Sequence, residues 1–126
     1  MEVSPGAAAE RVLEVTDDDT ALAVGSGSLP VLATPRLLAW VEGVSCDAVA
    51  GLLAVGETSV GTSVRLEHLA PCGVGDWVTV RAEVASVDGR RVVFVVEATG
   101  EDQRSVARGT VERVVVDETG FLARLG

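Results

Sequence analysis

The chain has 126 residues, enough for one domain with a hydrophobic core but not for two. Its net charge of -9 and its lack of Lys oppose binding to phosphate backbones, so we expect no nucleic-acid partner. Nearly half of the residues are apolar. However, the longest uninterrupted apolar run of the second half, residues 92–96, is far below the roughly 20 residues of a membrane span, so no membrane association is expected.

The beginning of the chain and its cysteines bear on location and on cofactors. The N-terminus is acidic at Glu2 and lacks a basic flank followed by an apolar core, so we expect no secretory signal and a cytoplasmic location. Cys46 falls in a predicted helix and Cys72 in a Pro/Gly turn. This arrangement suggests neither a disulfide nor a metal site, and Cys46 is interpreted as a small core residue. No cofactor is expected.

The first third of the chain predicts short elements. Residues 1–9 contain Ser-Pro-Gly and three alanines and are expected to be a flexible leader. Residues 10–17 alternate weakly and predict a first strand. The acidic run that follows could cap a short turn over residues 21–24, and residues 25–30, Gly-Ser-Gly-Ser-Leu-Pro, are expected to be a mobile connection.

A long helix is predicted over residues 34–55. Thr34 followed by Pro35 is a strong helix start, because Pro supplies the first-turn φ and lacks a donor that would be unpaired there. Thr34 is therefore expected to be the N-cap residue. The segment is apolar nearly all round, which is typical of a buried helix. We expect it to end near Gly56, although Gly51 could end it earlier.

Glu42 is out of place on this helix. On a helical wheel Arg36, Trp40, Gly43 and Asp47 can share the wetter side, whereas Glu42 lies elsewhere among apolar residues. No cation lies three or four residues from it, so its partner must come from another element. A buried carboxylate without a partner costs several kcal/mol or becomes protonated, and the position therefore needs a structural or functional explanation.

Beyond the helix the hydrophobic period changes from 3.6 to 2. Four strands are predicted, at residues 62–68, 77–87, 90–99 and 105–117. His68, the only histidine, falls on the apolar face of the first of these strands. Asp88 and Gly89 are typical of a two-residue hairpin turn. The small residues of the last strand, among them Ala107 and Gly109, suggest close packing against a bulky element such as a helix.

This order of elements predicts an α+β fold in which one antiparallel sheet of about five strands wraps around one long central helix. A single domain is expected to span residues 1–126. The edges of such a sheet favour pairing with a second copy, so we expect a homodimer.

Three polar side chains are the candidates for chemistry: Thr34, Glu42 and His68. Each also has a structural explanation, since Thr34 could be only a cap, His68 a satisfied strand residue, and Glu42 the partner of an arginine from a strand. Together, a carboxylate and an imidazole directed into one core would explain each other's burial and could serve acyl transfer. Gly61, just upstream, permits a backbone N–H to approach a developing oxyanion.

Several segments are similar to the fluoroacetyl-CoA thioesterase family of hot-dog fold proteins. They are Ala33-Thr34-Pro35, Glu42, the run Gly61-Thr62-Ser63-Val64-Arg65-Leu66-Glu67-His68, the Pro71/Gly75 turn, Val78-Thr79-Val80-Arg81-Ala82-Glu83-Val84, Val87-Asp88-Gly89-Arg90-Arg91 and Gly109-Thr110-Val111-Glu112-Arg113. The resemblance covers roughly residues 10–118.

The resemblance implies a hot-dog dimer that hydrolyses acyl-CoA thioesters, with coenzyme A present only as part of the substrate. By matching position, Thr34, Glu42 and His68 would form the catalytic set at the subunit interface. Glu42 would be nucleophile or general base, Thr34 would hold Glu42 and the thioester, and His68 would assist the water or the leaving thiol. Gly61 would bind the thioester carbonyl through its N–H across the dimer.

One departure concerns specificity: the fluoroacetyl-specific member has an aromatic-rich lid before the catalytic Thr, whereas residues 20–33 contain no Phe, Tyr or Trp. Another is the scarcity of basic residues for the CoA phosphates, with Arg36 and Arg65 as candidates. Two other functions are compatible with the sequence. One is a dimer that binds an acyl-CoA or small hydrophobic ligand without hydrolysing it. The other is a hydratase or dehydratase of the same fold, which usually places its residues in a different helix motif.

Overall fold

A computed structural model describes all 126 residues of the chain. Its elements are β1 (Ala8–Glu14), α1 (Ala21–Val24), α2 (Thr34–Val49), β2 (Glu57–His68), β3 (Trp77–Asp88), β4 (Arg91–Gly100), β5 (Ser105–Asp117) and α3 (Glu118–Ala123). Short 3-10 turns at Asp17–Asp19 and Ala50–Leu52 precede α1 and follow α2. No helix combines the length and the apolar character that crossing a membrane requires.

The five strands form one antiparallel sheet in the order β1-β3-β4-β5-β2. Helix α2 lies across one face of this sheet and packs mainly against β1 and β3. The predicted α+β architecture, one sheet around one long helix, is therefore confirmed. Strands β1 and β2 are the two edges, and β2 is the longer of them with 12 residues.

The core lies between the helix and the inner face of the sheet. Leu37, Val41 and Val44 of α2 are fully buried, as is Phe94 of β4. Alternate residues of β3 and β4 face the helix, which is why both strands show the period of two that predicted them. Each such buried side chain contributes about 2 kcal/mol relative to an exposed one, so this layer fixes the position of α2.

Helix α2 is shorter than predicted. It ends at Val49, and the chain continues as a 3-10 turn over Ala50–Leu52. Gly51, a poor helix former, lies within that turn. This agrees with the expectation that Gly51 could end the helix before Gly56. Gly56 does have the left-handed conformation, with φ of 84°, but it lies in the turn that leads into β2 rather than at a helix end.

The N-terminal residues, predicted to be a flexible leader, form hydrogen bonds with the rest of the fold. The Glu2 N–H donates to the Leu52 carbonyl at 2.8 Å, and the Gly6 N–H donates to the Val84 carbonyl at 2.9 Å. Val3 is buried against the core. Strand β1 accordingly begins at Ala8, earlier than expected.

The edge strand β2 begins at Glu57, five residues before the predicted start, and contains a bulge. Gly61 pairs with Arg113 and Ser63 with Glu112 of β5, so Thr62 has no partner in the register. Gly109 of β5 is required here because a β-carbon at this position would overlap the backbone of Arg65. The small residue therefore accommodates a neighbouring strand and not, as expected, a helix.

Candidate functional site

Thr34 and His68 meet where the start of α2 passes the end of β2. The hydroxyl oxygen Oγ1 of Thr34 lies 2.8 Å from Nδ1 of His68. Thr34 is the first helical residue, and Ala33 occupies the N-cap position without a side-chain cap. The expected capping role of Thr34 was therefore wrong, and its hydroxyl is free to bond the imidazole.

The environment of His68 favours the neutral imidazole. Burial lowers the pKa of His68 below its ordinary value, and a weaker opposing effect comes from the Ala70 backbone. Nε2 is enclosed by the chain without a hydrogen bond of good geometry. With the proton on Nε2, Nδ1 accepts a hydrogen bond from the Thr34 hydroxyl. The imidazole thereby orients the Thr34 hydroxyl.

A cavity of about 340 Å³ opens beside this pair. Its wall includes Ala21 and Ser26 from the connection before α2, and Leu69 and Ala70 from the segment after β2. The connection is held in place because Ala21 accepts a hydrogen bond from the Ser26 N–H at 3.0 Å and donates to the Val31 carbonyl at 2.8 Å. Thr34 and His68 therefore face a space that could hold part of a small molecule.

Glu42 forms a second cluster two turns further along α2. Its Oε2 accepts a hydrogen bond from Nη1 of Arg113 at 3.2 Å. Arg113 is held in turn by Ser59 of β2, since Nε donates to Ser59 Oγ at 2.9 Å and Nη2 donates to the Ser59 carbonyl at 3.0 Å. The Arg113 side chain is 8% exposed and that of Glu42 is 33% exposed. Glu42 is thus partnered as predicted, but it is half-buried rather than buried.

Gly61 brings the backbone of β2 against this carboxylate. A β-carbon on Gly61 would overlap Oε2 of Glu42, and Nη1 of Arg113 would lie 3.4 Å from it. Only glycine therefore allows Glu42 to occupy its present position. Because β2 is an edge strand, its outer row of backbone N–H groups has no partner within the chain.

Within one chain the two clusters are separate. The rise between Thr34 and Glu42 along the helix is about 12 Å. Gly61 and His68 are roughly 20 Å apart along β2. No hydrogen bond or salt bridge joins Glu42 to His68, so the single chain brings Thr34 to His68 and Glu42 to Gly61, but does not bring the two pairs together.

The sequence interpretation assigned no role in the site to Arg113 or Ser59. An arginine from a strand was one of the partners considered for Glu42, and Arg113 is that arginine. The available signal was the alternation of β5, in which Arg113 shares the inward phase with Val111 and Val115. The contact of Ser59 with it depends on the pairing of β2 with β5.

Most of the arginine side chains form ion pairs. Arg36, one candidate for binding phosphates, lies 3.3 Å from Asp19, whereas Arg65 has no carboxylate within 4.0 Å. Both cysteines are free, and burial raises the pKa of the Cys72 thiol. Cys46 is half-buried rather than a core residue. No group of His, Cys, Asp and Glu side chains is arranged to hold a metal ion.

Comparison with known sequences gives matches over most of the chain. The model of the family described as fluoroacetyl-CoA-specific thioesterase matches residues 15–119. The fluoroacetyl-CoA thioesterase of Streptantibioticus cattleyicolor is 38% identical over 96 residues, which cover 75% of this chain and 68% of that relative. The residues matched by the family model include both clusters described above.

Solved structures show the same architecture. A threonine-to-serine mutant of the fluoroacetyl-CoA thioesterase FlK, in complex with acetyl-CoA, superposes with a TM-score of 0.90 at 29% identity, covering 98% of this chain and 96% of that one. A hot-dog-like protein from Thermanaerovibrio acidaminovorans gives a TM-score of 0.88 at 29% identity, with coverages of 96% and 89%. The hot-dog fold expected from the sequence is thereby confirmed.

Proposed function

Because the chain belongs to the fluoroacetyl-CoA-specific thioesterase family, we propose that it hydrolyses a small acyl-CoA thioester at a site built from Thr34, Glu42 and His68 at a homodimer interface. Coenzyme A enters only as part of the substrate, no further cofactor takes part, and the location is cytoplasmic. The observation that carries the proposal is the pair of half-sites on one chain: a hydroxyl bonded to a neutral imidazole, and a paired carboxylate against a glycine backbone.

The free edge of β2 supports the dimer. Both half-sites touch this strand, one at Gly61 and the other at His68. If two copies of β2 paired antiparallel about a two-fold axis near Val64 and Arg65, Gly61 would lie opposite His68 of the partner subunit. Each of the two sites would then combine Glu42 of one subunit with Thr34 and His68 of the other. The separation found within one chain is what such an arrangement requires.

The proposed mechanism uses Glu42 as general base. Its carboxylate takes a proton from a water molecule, whose oxygen adds to the thioester carbonyl carbon. The Gly61 N–H stabilises the oxyanion that forms on the carbonyl oxygen. The carbon–sulfur bond then breaks, and Glu42 returns the proton to the thiolate, which leaves a carboxylic acid and free coenzyme A. The Thr34 hydroxyl, oriented by His68, positions the water and the thioester.

The activity is tested by measuring thiol release from a panel of acyl-CoAs with the wild-type protein, Glu42→Gln and His68→Ala. We expect kcat to fall by at least about a hundredfold in Glu42→Gln, since the general base is lost. Asp47→Asn is the matched control: Asp47 is an ion-paired carboxylate on the same helix, bonded to Arg11 on the opposite side. The proposal fails if no thioester is hydrolysed, or if both site variants keep wild-type rates.

The shared site is tested by mixing the two inactive variants after unfolding and refolding them together. Half of the dimers formed at random contain one chain of each kind, and each of these has one site with both defects and one intact site. We therefore expect about a quarter of wild-type activity to return. If all three residues of a site came from one chain, the mixture would stay inactive.

The competing function is a dimer that binds an acyl-CoA without hydrolysis. It would be supported if calorimetry detected binding of a nonhydrolysable thioether analogue by a protein that does not turn over the corresponding thioester.

A further inference from the structure

The cavity beside Thr34 and His68 is lined by no Asp, Glu, Lys or Arg side chain. Among the residues around it, Val31, Leu69 and Ala70 present apolar surface, and Leu69 is 45% exposed. Coenzyme A ends in phosphate groups, which would need cations, and the nearby Arg36 is already bound to Asp19. The cavity therefore suits the apolar end of a thioester and not its nucleotide end.

The volume of this cavity follows from small side chains. Ala21, Ser26 and Ala70 are part of its wall, and all three project little beyond the backbone. Gly27 packs directly on Ala21, since a β-carbon on Gly27 would lie 3.2 Å from that of Ala21. No Phe, Tyr or Trp side chain contributes to the wall. The space of about 340 Å³ is thus left open by the residue types at these positions.

This space is larger than a two-carbon acyl group needs. At roughly 30 Å³ for each non-hydrogen atom, the value for liquid water, it holds about ten such atoms. An acetyl or fluoroacetyl group has only three or four, so most of the apolar wall would stay in contact with water. A longer chain would bury that wall and gain about fourfold in affinity for each methylene group.

We propose that the acyl group of the substrate is an apolar chain of about six to eight carbons that lies in this cavity, and that Ser26 limits its length. This inference rests on the proposed thioesterase function and specifies its substrate class. Ser26 is the residue of the wall best suited to test it, because its side chain lies on an exposed connection and can be enlarged without disturbing the core.

The first test is the dependence of kcat/KM on acyl length for acetyl-, butyryl-, hexanoyl-, octanoyl- and decanoyl-CoA. We expect kcat/KM to rise by about threefold to fourfold for each methylene as far as hexanoyl or octanoyl and then to stop rising. Acetyl-CoA hydrolysed as efficiently as hexanoyl-CoA would overturn the inference while leaving the thioesterase function intact. If no acyl-CoA is hydrolysed, calorimetry with S-hexyl- and S-ethyl-coenzyme A decides, and equal affinities would overturn it.

The second test uses Ser26→Phe, with Ser28→Phe as its matched control on the same exposed connection but outside the cavity wall. We expect Ser26→Phe to lower the ratio of hexanoyl-CoA to acetyl-CoA turnover by at least about tenfold, and Ser28→Phe to leave that ratio unchanged. An equal loss for every chain length in Ser26→Phe would mean that the cavity holds the pantetheine arm, and an unchanged ratio would mean that Ser26 does not contact the acyl group. Either result would overturn the inference.

Discussion

Oε2 of Glu42 occupies the space in which a β-carbon of residue 61 would otherwise lie, so the position of the carboxylate depends on the absence of a side chain at Gly61. The obstructing atom is the end of a flexible side chain, and a methyl group would displace it without disrupting β2. The Glu42–Gly61 contact therefore affects the reaction more than the stability of the fold.

Gly61→Ala is expected to reduce kcat by about a hundredfold, because a displacement of about 1 Å from the reacting geometry has that effect. The thermal midpoint of unfolding should stay close to that of the wild type. The control is Gly51→Ala, since a β-carbon there would meet no atom within 4 Å and Gly51 has no left-handed backbone. Unchanged kcat in Gly61→Ala would show that Glu42 does not need its present position.

Arg113→Met should lower the free energy of unfolding by about 2 kcal/mol, because it leaves the half-buried Glu42 carboxylate without its partner. Denaturant unfolding gives this value. Arg81→Met is the control, since Arg81 and Glu83 form an exposed pair at 2.7 Å whose loss should cost about 0–1 kcal/mol.

A double-mutant cycle separates this effect from lost packing. If the unpaired charge is the cause, adding Glu42→Gln to Arg113→Met should restore about 1 kcal/mol. If Glu42→Gln instead lowers the free energy of unfolding of Arg113→Met by as much as it lowers that of the wild type, the two side chains are not coupled.

The period of β2 placed His68 on the inner face, but the sequence interpretation paired the imidazole with Glu42, whereas the structure pairs it with Thr34 and pairs Glu42 with Arg113. The position of Glu42 and its partner depends on which strands of the sheet are neighbours. Arg113 reaches Glu42 only because β2 and β5 are neighbours, and the sequence contains no signal for which strands pair. The capping role assigned to Thr34 failed for a related reason: the hydrogen bond to His68, across the fold, replaces the local one.

The fall of kcat on the acid side of its pH profile, the acid limb, should reflect protonation of His68. The proposed mechanism needs the neutral imidazole, and burial lowers the pKa of His68, so kcat should fall only below the ordinary value of 6.5. His68→Gln should lose this limb while retaining part of the activity, because an amide can still bond Thr34. An inflection above 6.5 in the wild type, or the same inflection in the variant, would assign the limb to another group.

Protonation of His68 should also lower the stability of the fold as the pH falls. Since its pKa is lower in the folded state, the unfolded chain binds the proton first as the pH falls below about 6.5. The free energy of unfolding should therefore decrease on acidification through this range, and the decrease should be smaller in His68→Gln. Urea unfolding at pH 7.5 and pH 5.5 measures both.

Glu57 should contribute separately to the pH dependence of stability, in a lower pH range than His68. Its Oε1 accepts a hydrogen bond from the Ala54 N–H at 2.8 Å and its Oε2 one from Arg90 at 2.7 Å, and these contacts lower the pKa of Glu57 from 4.5 to about 2. A carboxyl whose pKa is lower in the folded state stabilises the fold fully above the unfolded value of 4.5 and loses this effect as the pH falls towards 2.

The measurement is the difference in thermal midpoint between the wild type and Glu57→Gln. We expect the wild type to unfold at the higher temperature at pH 7, and the difference to shrink as the pH falls from about 4.5 to about 2. Glu67→Gln is the control, because the nearest guanidinium nitrogen, on Arg108, is 3.8 Å away and both side chains are well exposed. A difference for Glu57→Gln that stays constant down to pH 2 would mean that the substitution acts through packing and not through the charge of the carboxylate.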